Sequence, residues 1–421
     1  MFRRAELAGT VCILALALVT VASACCGGTT AKPHVTWYRP SNESDVFGIV
    51  SLKAKASADE GVVAVKFYCD SVDDEHLIGT VTTLSDSLYT QTWYTTDVEN
   101  GEHTLYAVVL DAKDKSSQAS RTVTVGNVTR AEAIPAGAVK WTPQMDAHPP
   151  VLSSAFSAYW HDPVPMEAPF TTAGAEDSPF ITPDGNNFYF FFTPDMSIPV
   201  QQQLLDRVTG IYWSQKVGGV WTEPQRVWLY DDLSLEGAET VLGNTMWFAS
   251  VRSGVKREID IYTAELVNGR WSNWTNVGEP LNVAYEVGEL HVSADGNQIY
   301  FHSKRAGGKG EMDIWVTSKV NGEWQQPENV AAVNTEDGEG WPYLSEDGNE
   351  LWFLRSKGDV TMGIFRSVKA GGQWQTPQLV VSGLAGEPTL DRQGNLYFVH
   401  HYWDDSAQKL WEADIYVCYR K

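Results

Sequence analysis

A turn followed by an aromatic strand, Asp-Gly-Asn-Glu-Leu-Trp-Phe at residues 347–353, decides the fold because the chain repeats it. Related copies stand at 184–190, 243–248, 295–301 and 394–398, so that their final phenylalanines are 45–58 residues apart. After each copy comes a short strand of the type Asp/Gly-Ile-aromatic, at 210–212, 260–262, 313–315, 363–365 and 414–416. Self-similarity at a fixed period is typical of repeat architectures. Residues 157–421 are therefore predicted to contain five copies of one β-unit.

A third repeated element, Trp-x-x-Pro, indicates how the units are arranged. It stands at 221–224, 324–327 and 374–377, with a degenerate copy at 271–274, and no copy follows the last unit. Another copy at 160–163 precedes the first unit. We therefore predict an all-β fold in which residues 157–421 form a five-bladed β-propeller, closed by an N-terminal outer strand near 157–166. Closing a ring in this way removes exposed sheet edges.

The repeated turn extends on its N-terminal side into a longer motif. Pro-Phe-Ile-Thr-Pro-Asp-Gly at 179–185 and Pro-Tyr-Leu-Ser-Glu-Asp-Gly at 342–348 resemble the signature of the TolB-like β-propeller repeat family. The resemblance covers residues 157–421 and implies a propeller. Because that family includes binding propellers, scaffolds and peptidase-associated domains, it implies no single activity.

A separate β-sandwich is predicted for residues 32–126. Short alternating strands are separated by turn signals, among them Asn100-Gly101, which is typical of a hairpin or corner. Val-x-Val-x-Phe-Tyr at 63–68, Trp93, and Asn-Gly-x-His-Thr-Leu-x-Ala at 100–107 follow the order found in bacterial Ig-like domains, which this segment resembles. Residues 127–156 are predicted to be a linker with some ordered packing.

The first 24 residues are predicted to be a signal peptide. Arg3 and Arg4 precede an uncharged apolar run from 7 to 24, which ends in a small-x-small site. Cleavage there would place Cys25 at the N-terminus, in a context that resembles the lipobox of bacterial lipoproteins, with 25–31 as a tether. We expect export to the cell surface or periplasm with a lipid on Cys25 as the only membrane contact. Simple cleavage and an uncleaved anchor are the alternatives.

Charge and motif content exclude several classes of function. The chain has 31 Lys and Arg against 53 Asp and Glu, a net charge of −22, which repels the phosphate backbone of nucleic acids. It contains no Gly-x-Ser-x-Gly elbow, His-Glu-x-x-His helix or phosphate-binding loop. No cofactor is expected. No metal site is expected either, because zinc-type Cys/His spacing is missing and the adjacent His400 and His401 of a strand point to opposite faces.

Counting back from the repeated phenylalanines places carboxylates at a similar level in every unit. The set comprises Asp177, Glu239, Glu289, Glu339 and Glu387. Imidazole and guanidinium groups are expected near the same rim, at His291, His302, Arg355 and His400. An acidic ring beside such groups predicts a ligand-binding mouth. The alternative is that the carboxylates accept backbone N–H bonds from adjacent blades and that His291 is a core histidine.

Three classes of function stay open from the sequence. The first is a non-catalytic exported protein whose propeller face binds a glycan, a peptide or an envelope protein. The second is a glycoside hydrolase resembling the arabinanase-like five-bladed enzymes, with Glu239, Glu289 and Glu387 as catalytic candidates. Whether such an enzyme inverts or retains the configuration of the sugar depends on the distance between its two catalytic carboxyl groups, which a sequence does not show. The third is a structural envelope component.

Overall fold

The structure, a computed structural model, describes residues 31–421 except 204, 233, 253–258, 284–286 and 357–361. The predicted signal peptide, Cys25 and nearly all of the predicted tether lie outside the described residues. With 54% strand and 3% helix, the protein is all-β, as predicted. Neither helix in the described residues, α1 (Arg130–Ala133) or α2 (Val200–Gln203), is long or apolar enough to cross a membrane.

The N-terminal strands form two sheets packed around one core. They are β1 (His34–Arg39), β2 (Ser44–Val46), β3 (Ile49–Ser57), β4 (Val62–Cys69), β5 (Leu77–Val81), β6 (Tyr89–Tyr94), β7 (Gly101–Asp111) and β8 (Ser116–Val125). One sheet has the order β1-β3-β6 and the other β2-β8-β7-β4-β5. Trp37, Phe67 and Trp93 lie in the apolar core between them. This is the predicted β-sandwich, and its cysteine, Cys69, is a free buried thiol.

The rest of the chain supplies short connecting strands and then five antiparallel sheets. The connecting strands are β9 (Val151–Leu152) and β10 (Val164–Pro165). The first sheet has β11 (Ala175–Ile181), β12 (Asn187–Thr193), β13 (Gly210–Val217), β14 (Val220–Trp221) and β15 (Gln225–Arg226). The second has β16 (Ser234–Leu242), β17 (Thr245–Arg252), β18 (Asp260–Val267) and β19 (Arg270–Asn276).

The remaining three sheets repeat this order. The third has β20 (Val287–Val292), β21 (Gln298–Ser303), β22 (Asp313–Val320), β23 (Glu323–Trp324) and β24 (Glu328–Asn329). The fourth has β25 (Gly338–Leu344), β26 (Glu350–Ser356), β27 (Met362–Ala370), β28 (Gln373–Trp374) and β29 (Gln378–Ser382). The fifth has β30 (Ala385–Leu390), β31 (Leu396–Asp404) and β32 (Lys409–Cys418). Each sheet is open and runs in sequence order from its first strand.

The repeated residues build the core and turns of every sheet. The final phenylalanines and the isoleucines of the Ile strands are all fully buried: Phe190, Phe248, Phe301, Phe353, Phe398, Ile211, Ile261, Ile314, Ile364 and Ile415. In the turn of the third sheet, Gly296 has a φ of 72° and Asp295 accepts the Asn297 N–H at 3.0 Å. Asp295 is therefore a turn residue, because Asp-Gly supplies the geometry of a tight hairpin.

Neighbouring sheets are held together by aromatic side chains. Three tryptophans of the Trp-x-x-Pro or related motifs contact the preceding sheet, with ring centroids 5.9–6.3 Å apart: Trp271 with Tyr189, Trp324 with Trp247, and Trp374 with Tyr300. Trp160, which precedes the first sheet, contacts Trp352 of the fourth sheet with ring centroids 5.8 Å apart. These rings pack between sheets, so they are unavailable as flat platforms for a sugar. The first strands of the sheets (β11, β16, β20, β25 and β30) contact one another in turn, and β11 also contacts β30.

The segment before the first sheet is tied down at several points. Strand β10 pairs antiparallel with β32, and β9 pairs antiparallel with β29. Asp146 accepts a hydrogen bond from His400 at 2.8 Å, with both side chains fully buried. Arg130 donates to Glu223 at 2.8 Å. Residues 127–156, which we call the strap, are thus packed against the sheets at several points, and β9 is a strand that the sequence analysis did not predict.

Candidate functional site

The first strand of each sheet is interrupted by a β-bulge at the same level. The pairing register shifts between Asp177 and Phe180, Gly237 and Thr240, Val287 and Leu290, Gly340 and Tyr343, and Gly386 and Thr389. A bulge leaves residues unpaired and changes where their side chains point. The bulged residues therefore leave the regular alternation of the strands and can face a common space.

These bulges meet around a narrow cavity, which we call the neck. Each of the five first strands contributes to its lining, which includes Ser178, Glu239, Glu289, His291, Trp341 and Glu387. The neck has a volume of about 30 Å³, more than the roughly 10–15 Å³ that a cavity needs to hold one water molecule. It can admit a water, an ion or the tip of a functional group, whereas a sugar ring is too large.

Three of the predicted carboxylates line the neck, and their oxygens have few partners. Glu289 accepts a hydrogen bond from the Ser178 hydroxyl at 2.9 Å. Glu239 is 5% exposed, and neither of its carboxylate oxygens has a hydrogen-bond partner among the residues that the structure describes. Glu387 is 8% exposed, and its Oε2 has none among them either. Buried carboxylates without partners are costly, because burial removes their hydration.

Burial controls the protonation of this group. It raises the pKa of Glu289 to about 8, and with repulsion from neighbouring carboxylates it raises the pKa of Glu239 and Glu387 well above the usual range. Asp177 differs. Burial pushes its pKa up, but the nearby His401 and the Ser178 N–H push it further down, leaving it below its usual value. Asp177 therefore stays ionised where the glutamates favour the neutral form.

The predicted histidines separate into two groups. His291 lines the neck, its ring centroid lies 4.5 Å from that of Tyr343, and burial lowers its pKa to about 3. His302 lies behind the lining, accepts the Trp341 N–H at 3.1 Å, and has its pKa lowered to about 3 by burial. Both imidazoles are therefore neutral. His401, which is not among the predicted ligand residues, faces Asp177 at 3.6 Å.

Three other candidates are engaged away from the neck. Glu339 is fully buried and accepts a hydrogen bond from Arg355 at 2.7 Å, so these two predicted ligand residues neutralise each other. Two other sheets have a similar buried pair of glutamate and arginine. Glu236 pairs with Arg252, and the fully buried Glu176 lies 3.5 Å from Arg130 of the strap. Each of these glutamates lies near the beginning of the first strand of its sheet, so the pairs hold the beginnings of those strands in place.

His400 is the third of these candidates. Its Nδ1 faces the Gly383 carbonyl at 2.9 Å and its Nε2 faces the Asp146 carboxylate at 2.8 Å. Both ring nitrogens therefore already have a hydrogen-bond partner. His400 is thus used to hold the strap, and it has no free nitrogen for a ligand.

A larger cavity, which we call the mouth, adjoins the neck on the side of the hairpin turns. Its volume is about 330 Å³, and its lining includes Val241, Leu242, Val292, Ala294, Leu344 and Arg392. It shares Phe180, His291 and Tyr343 with the neck. Cavities of 300–1,000 Å³ with mostly apolar walls and a few polar groups are typical of small-molecule sites. The ligand-binding mouth predicted from the sequence lies at the ring of carboxylates, and this cavity was not predicted, because its lining combines residues from separate hairpins that meet only in the folded chain.

Comparison with known proteins gives a family-level result for the N-terminal domain. Residues 33–107 match the family model of the bacterial Ig domain. No curated protein sequence matches the chain.

Solved structures resemble the chain at low identity. An endo-beta-1,4-mannanase from Thermotoga petrophila is 15% identical with a TM-score of 0.20, over 24% of this chain and 22% of that chain. TolB from Acinetobacter baumannii is 12% identical with a TM-score of 0.35, over 77% of each chain. An alpha-L-arabinofuranosidase from Lactobacillus brevis is 13% identical with a TM-score of 0.37, over 58% of this chain and 90% of that chain. The chain thus spans about a fifth of the mannanase, and likenesses this distant carry no argument about activity.

Proposed function

We propose that this protein is an exported binding protein that recognises a glycan at the mouth of a five-bladed propeller. The observation that carries the proposal is that the mouth and the neck share Phe180, His291 and Tyr343. A ligand seated in the mouth would therefore have one end directed at Glu239 and Glu289. In their neutral form these carboxyl groups can donate one hydrogen bond to a sugar hydroxyl and accept others from it.

The closed ring is part of the proposal. The pairing of β10 with β32 would complete the fifth sheet with a strand from the N-terminal side of the first. Contacts between successive first strands, including β11 with β30, support a ring. Phe188 of the first sheet also contacts Tyr397 of the fifth, with ring centroids 5.5 Å apart. We take 157–421 as the propeller and 32–126 as a spacer that holds it away from the cell envelope.

The mouth is a concave cavity, and a glycan fits it better as a ligand than the flat surface of a protein partner. Apolar side chains such as Val241 and Val292 line the cavity, and the aromatic residues Phe180 and Tyr343 lie where it meets the neck. The C–H faces of a sugar can pack on such groups while its hydroxyls reach acceptors. The volume of about 330 Å³ leaves room for a chain end rather than a whole polymer.

Substituting the neck glutamates tests this binding site. Glu239→Gln, Glu289→Gln and Glu387→Gln keep the shape of the side chain and replace the neutral carboxyl group, whose O–H can donate to a sugar hydroxyl, by an amide. Each is expected to weaken glycan binding by about 0.5–1.5 kcal/mol, the usual net contribution of a hydrogen bond between neutral groups. Titration calorimetry with a glycan selected from a panel of polysaccharides measures the effect. Glu323→Gln, at an exposed position of β23, is the matched control and should leave affinity unchanged.

A glycoside hydrolase is the second candidate, because carboxylates from the second, third and fifth sheets face one cavity. In that case one or two of the three substitutions should lower the cleavage rate by roughly 10²–10⁴ while binding persists, the usual contribution of a general acid or base. Product analysis of the same glycan panel separates the two. If the wild type cleaves a glycan and these variants do not, the proposal of a non-catalytic binding protein is contradicted. If the protein binds basic peptides and no glycan, the proposed ligand class is wrong. If it neither binds nor cleaves any of them, a structural role in the envelope is the function that remains.

Export with lipid attachment is proposed on the N-terminal sequence alone. Mass spectrometry of the protein from its native host should find a chain that begins at Cys25 with a diacylglyceryl group on its thiol. A free thiol and amine at Cys25 would exclude the lipid, and an intact Met1 would exclude cleavage. The measurement is independent of the binding experiments, because those require only the folded protein.

A further inference from the structure

Three metal-binding side chains meet beside the neck, at the junction between the first and fifth sheets. Asp177 lies on β11, Glu387 on β30 and His401 on β31. A carboxylate oxygen of each acid and a ring nitrogen of the histidine all lie within 4.8 Å of one another. Ligand atoms bound about 2.0–2.2 Å from one metal are at most about 4.4 Å apart, so movements of a fraction of an ångström would bring all three into contact with one ion.

A separate observation is that several polar atoms at this place have no hydrogen-bond partner among the described residues. Glu239, across the neck, is 5% exposed, and both of its oxygens have no hydrogen-bond partner within the part of the chain that the structure describes. Glu387 Oε2 and His401 Nδ1 are also buried without partners. A buried carboxylate normally pairs with a cation or coordinates a metal. The neck is large enough for an ion, with a volume of about 30 Å³.

We propose that Asp177, Glu387 and His401 bind one divalent transition-metal ion, with Glu239 facing it across the neck. Two carboxylates and one imidazole form a mixed oxygen and nitrogen donor set. Such a set favours Zn²⁺ or Mn²⁺ over Mg²⁺ and Ca²⁺, which prefer oxygen ligands alone. Three protein ligands also leave a coordination position open, as in sites where zinc binds water or substrate.

The ion would connect the two ends of the repeat region. Asp177 belongs to the first sheet, and Glu387 and His401 belong to the fifth, so a bound metal joins the sheets that must meet if the ring is closed. Because the ion binds the folded protein and has no such site in the unfolded chain, its binding stabilises the fold. This role does not depend on which ligand the mouth binds.

A second cluster provides the control. Cys69, Asp70 and His103 in the sandwich also bring three donor atoms within 4.8 Å. There, however, His103 faces Asp70 at 2.7 Å and the Glu99 carbonyl at 2.9 Å, so both of its nitrogens have partners. Burial raises the pKa of the Cys69 thiol to about 12, which keeps it protonated and a poor metal ligand. We expect no ion at this cluster.

Metal binding to the full chain tests the proposal. After treatment with EDTA and removal of the chelator, the protein is titrated with Zn²⁺, Mn²⁺ or Ca²⁺ and followed by calorimetry, native mass spectrometry and thermal unfolding. We expect one equivalent of Zn²⁺ or Mn²⁺ and a higher Tm, with little response to Ca²⁺. His401→Ala and Glu387→Gln should weaken binding by at least roughly 100-fold, more than the loss of an outer-sphere partner does, and should abolish the rise in Tm. His103→Ala should bind as the wild type.

Three results would overturn the proposal: no metal bound by the wild type, unchanged binding in both neck variants, or loss of binding in His103→Ala. Far-ultraviolet circular dichroism of the metal-free variants shows whether each is folded. If His401→Ala does not fold, Glu387→Gln decides, because glutamine keeps the shape of the side chain and removes its charge. Glycan affinity is measured separately, so failure of the metal site and failure of the binding proposal give different results.

Discussion

Replacing Trp160 by alanine is expected to lower the free energy of unfolding by about 3–5 kcal/mol, the usual effect of truncating a buried tryptophan. Trp160 is 4% exposed, and its indole N–H donates to the Gly394 carbonyl at 2.8 Å. Its ring meets Trp352 of the fourth sheet edge to face, with centroids 5.8 Å apart. The substitution therefore removes packing and a hydrogen bond where the N-terminal segment joins the fourth and fifth sheets.

The neighbouring Tyr159 supplies the control for this prediction. Tyr159 is 50% exposed, so Tyr159→Ala should change the free energy of unfolding by less than about 1 kcal/mol. Denaturant unfolding of both variants measures the difference. Equal stability of Trp160→Ala and Tyr159→Ala would show that the segment around 160 does not hold the sheets together, and would contradict the proposed ring closure.

Replacing Asp146 by alanine is expected to lower the free energy of unfolding by about 1–3 kcal/mol, because it leaves a buried polar group without its hydrogen-bond partner. The side chains of Asp146 and His400 are both fully buried, and Asp146 Oδ2 lies 2.8 Å from His400 Nε2. With Asp146 removed, this nitrogen of His400 stays buried and loses its partner. The strap at 127–156 should then detach from β31, which exposes more of the chain to proteolysis.

His148, two residues further on, is the matched control. It faces Asp405 at 3.1 Å, but both side chains are well exposed, 38% and 60% respectively. Exposed ion pairs contribute about 0–1 kcal/mol, so His148→Ala should unfold close to the wild type. Thermal and denaturant unfolding, with limited proteolysis of the native state, compare the two. A large loss in His148→Ala together with a small one in Asp146→Ala would contradict the assignment of His400 to the strap.

The five sheets could be predicted from the sequence because their cores repeat. Phe301 and Ile314 recur in every unit at fixed positions relative to the turn, and each is fully buried. The strands that carry them are buried over several consecutive residues, and short, continuously apolar runs bounded by turns are what the sequence shows for such strands. The bacterial Ig domain was also predicted, from hairpin signals and alternating strands, and it is confirmed for residues 33–107.

The neck could be predicted only in part. Counting back from the phenylalanines finds Glu239, Glu289 and Glu387, because each bulge lies at a nearly constant distance from the following turn. The same counting includes Glu339, which pairs with Arg355 instead. A shift of one or two residues at a bulge decides whether a side chain faces the channel or a neighbouring sheet, and no sequence pattern here marks that shift.

The contacts of the strap could not be predicted at all. Asp146 meets His400 and β9 meets β29 across more than two hundred residues of chain. Such pairs depend on how the sheets are placed in space, and they leave no periodic signal. The mouth was missed for the same reason, since its lining combines Val241, Ala294 and Arg392 from three separate hairpins.

Blocking the mouth tests the central claim most directly. Ala294 is exposed in a hairpin that borders the mouth, and equivalent turns carry Pro183 and Glu346, so a larger side chain fits there without disturbing the strands. Ala294→Trp would fill part of the cavity, while Val267→Trp, at an exposed position of β18, places the same side chain on an outer strand. Titration calorimetry of both variants with the glycan that the wild type binds should show at least tenfold weaker binding, about 1.4 kcal/mol, for Ala294→Trp and unchanged binding for Val267→Trp. Glycan binding to Ala294→Trp with the affinity of the wild type would contradict the proposal that the mouth is the binding site.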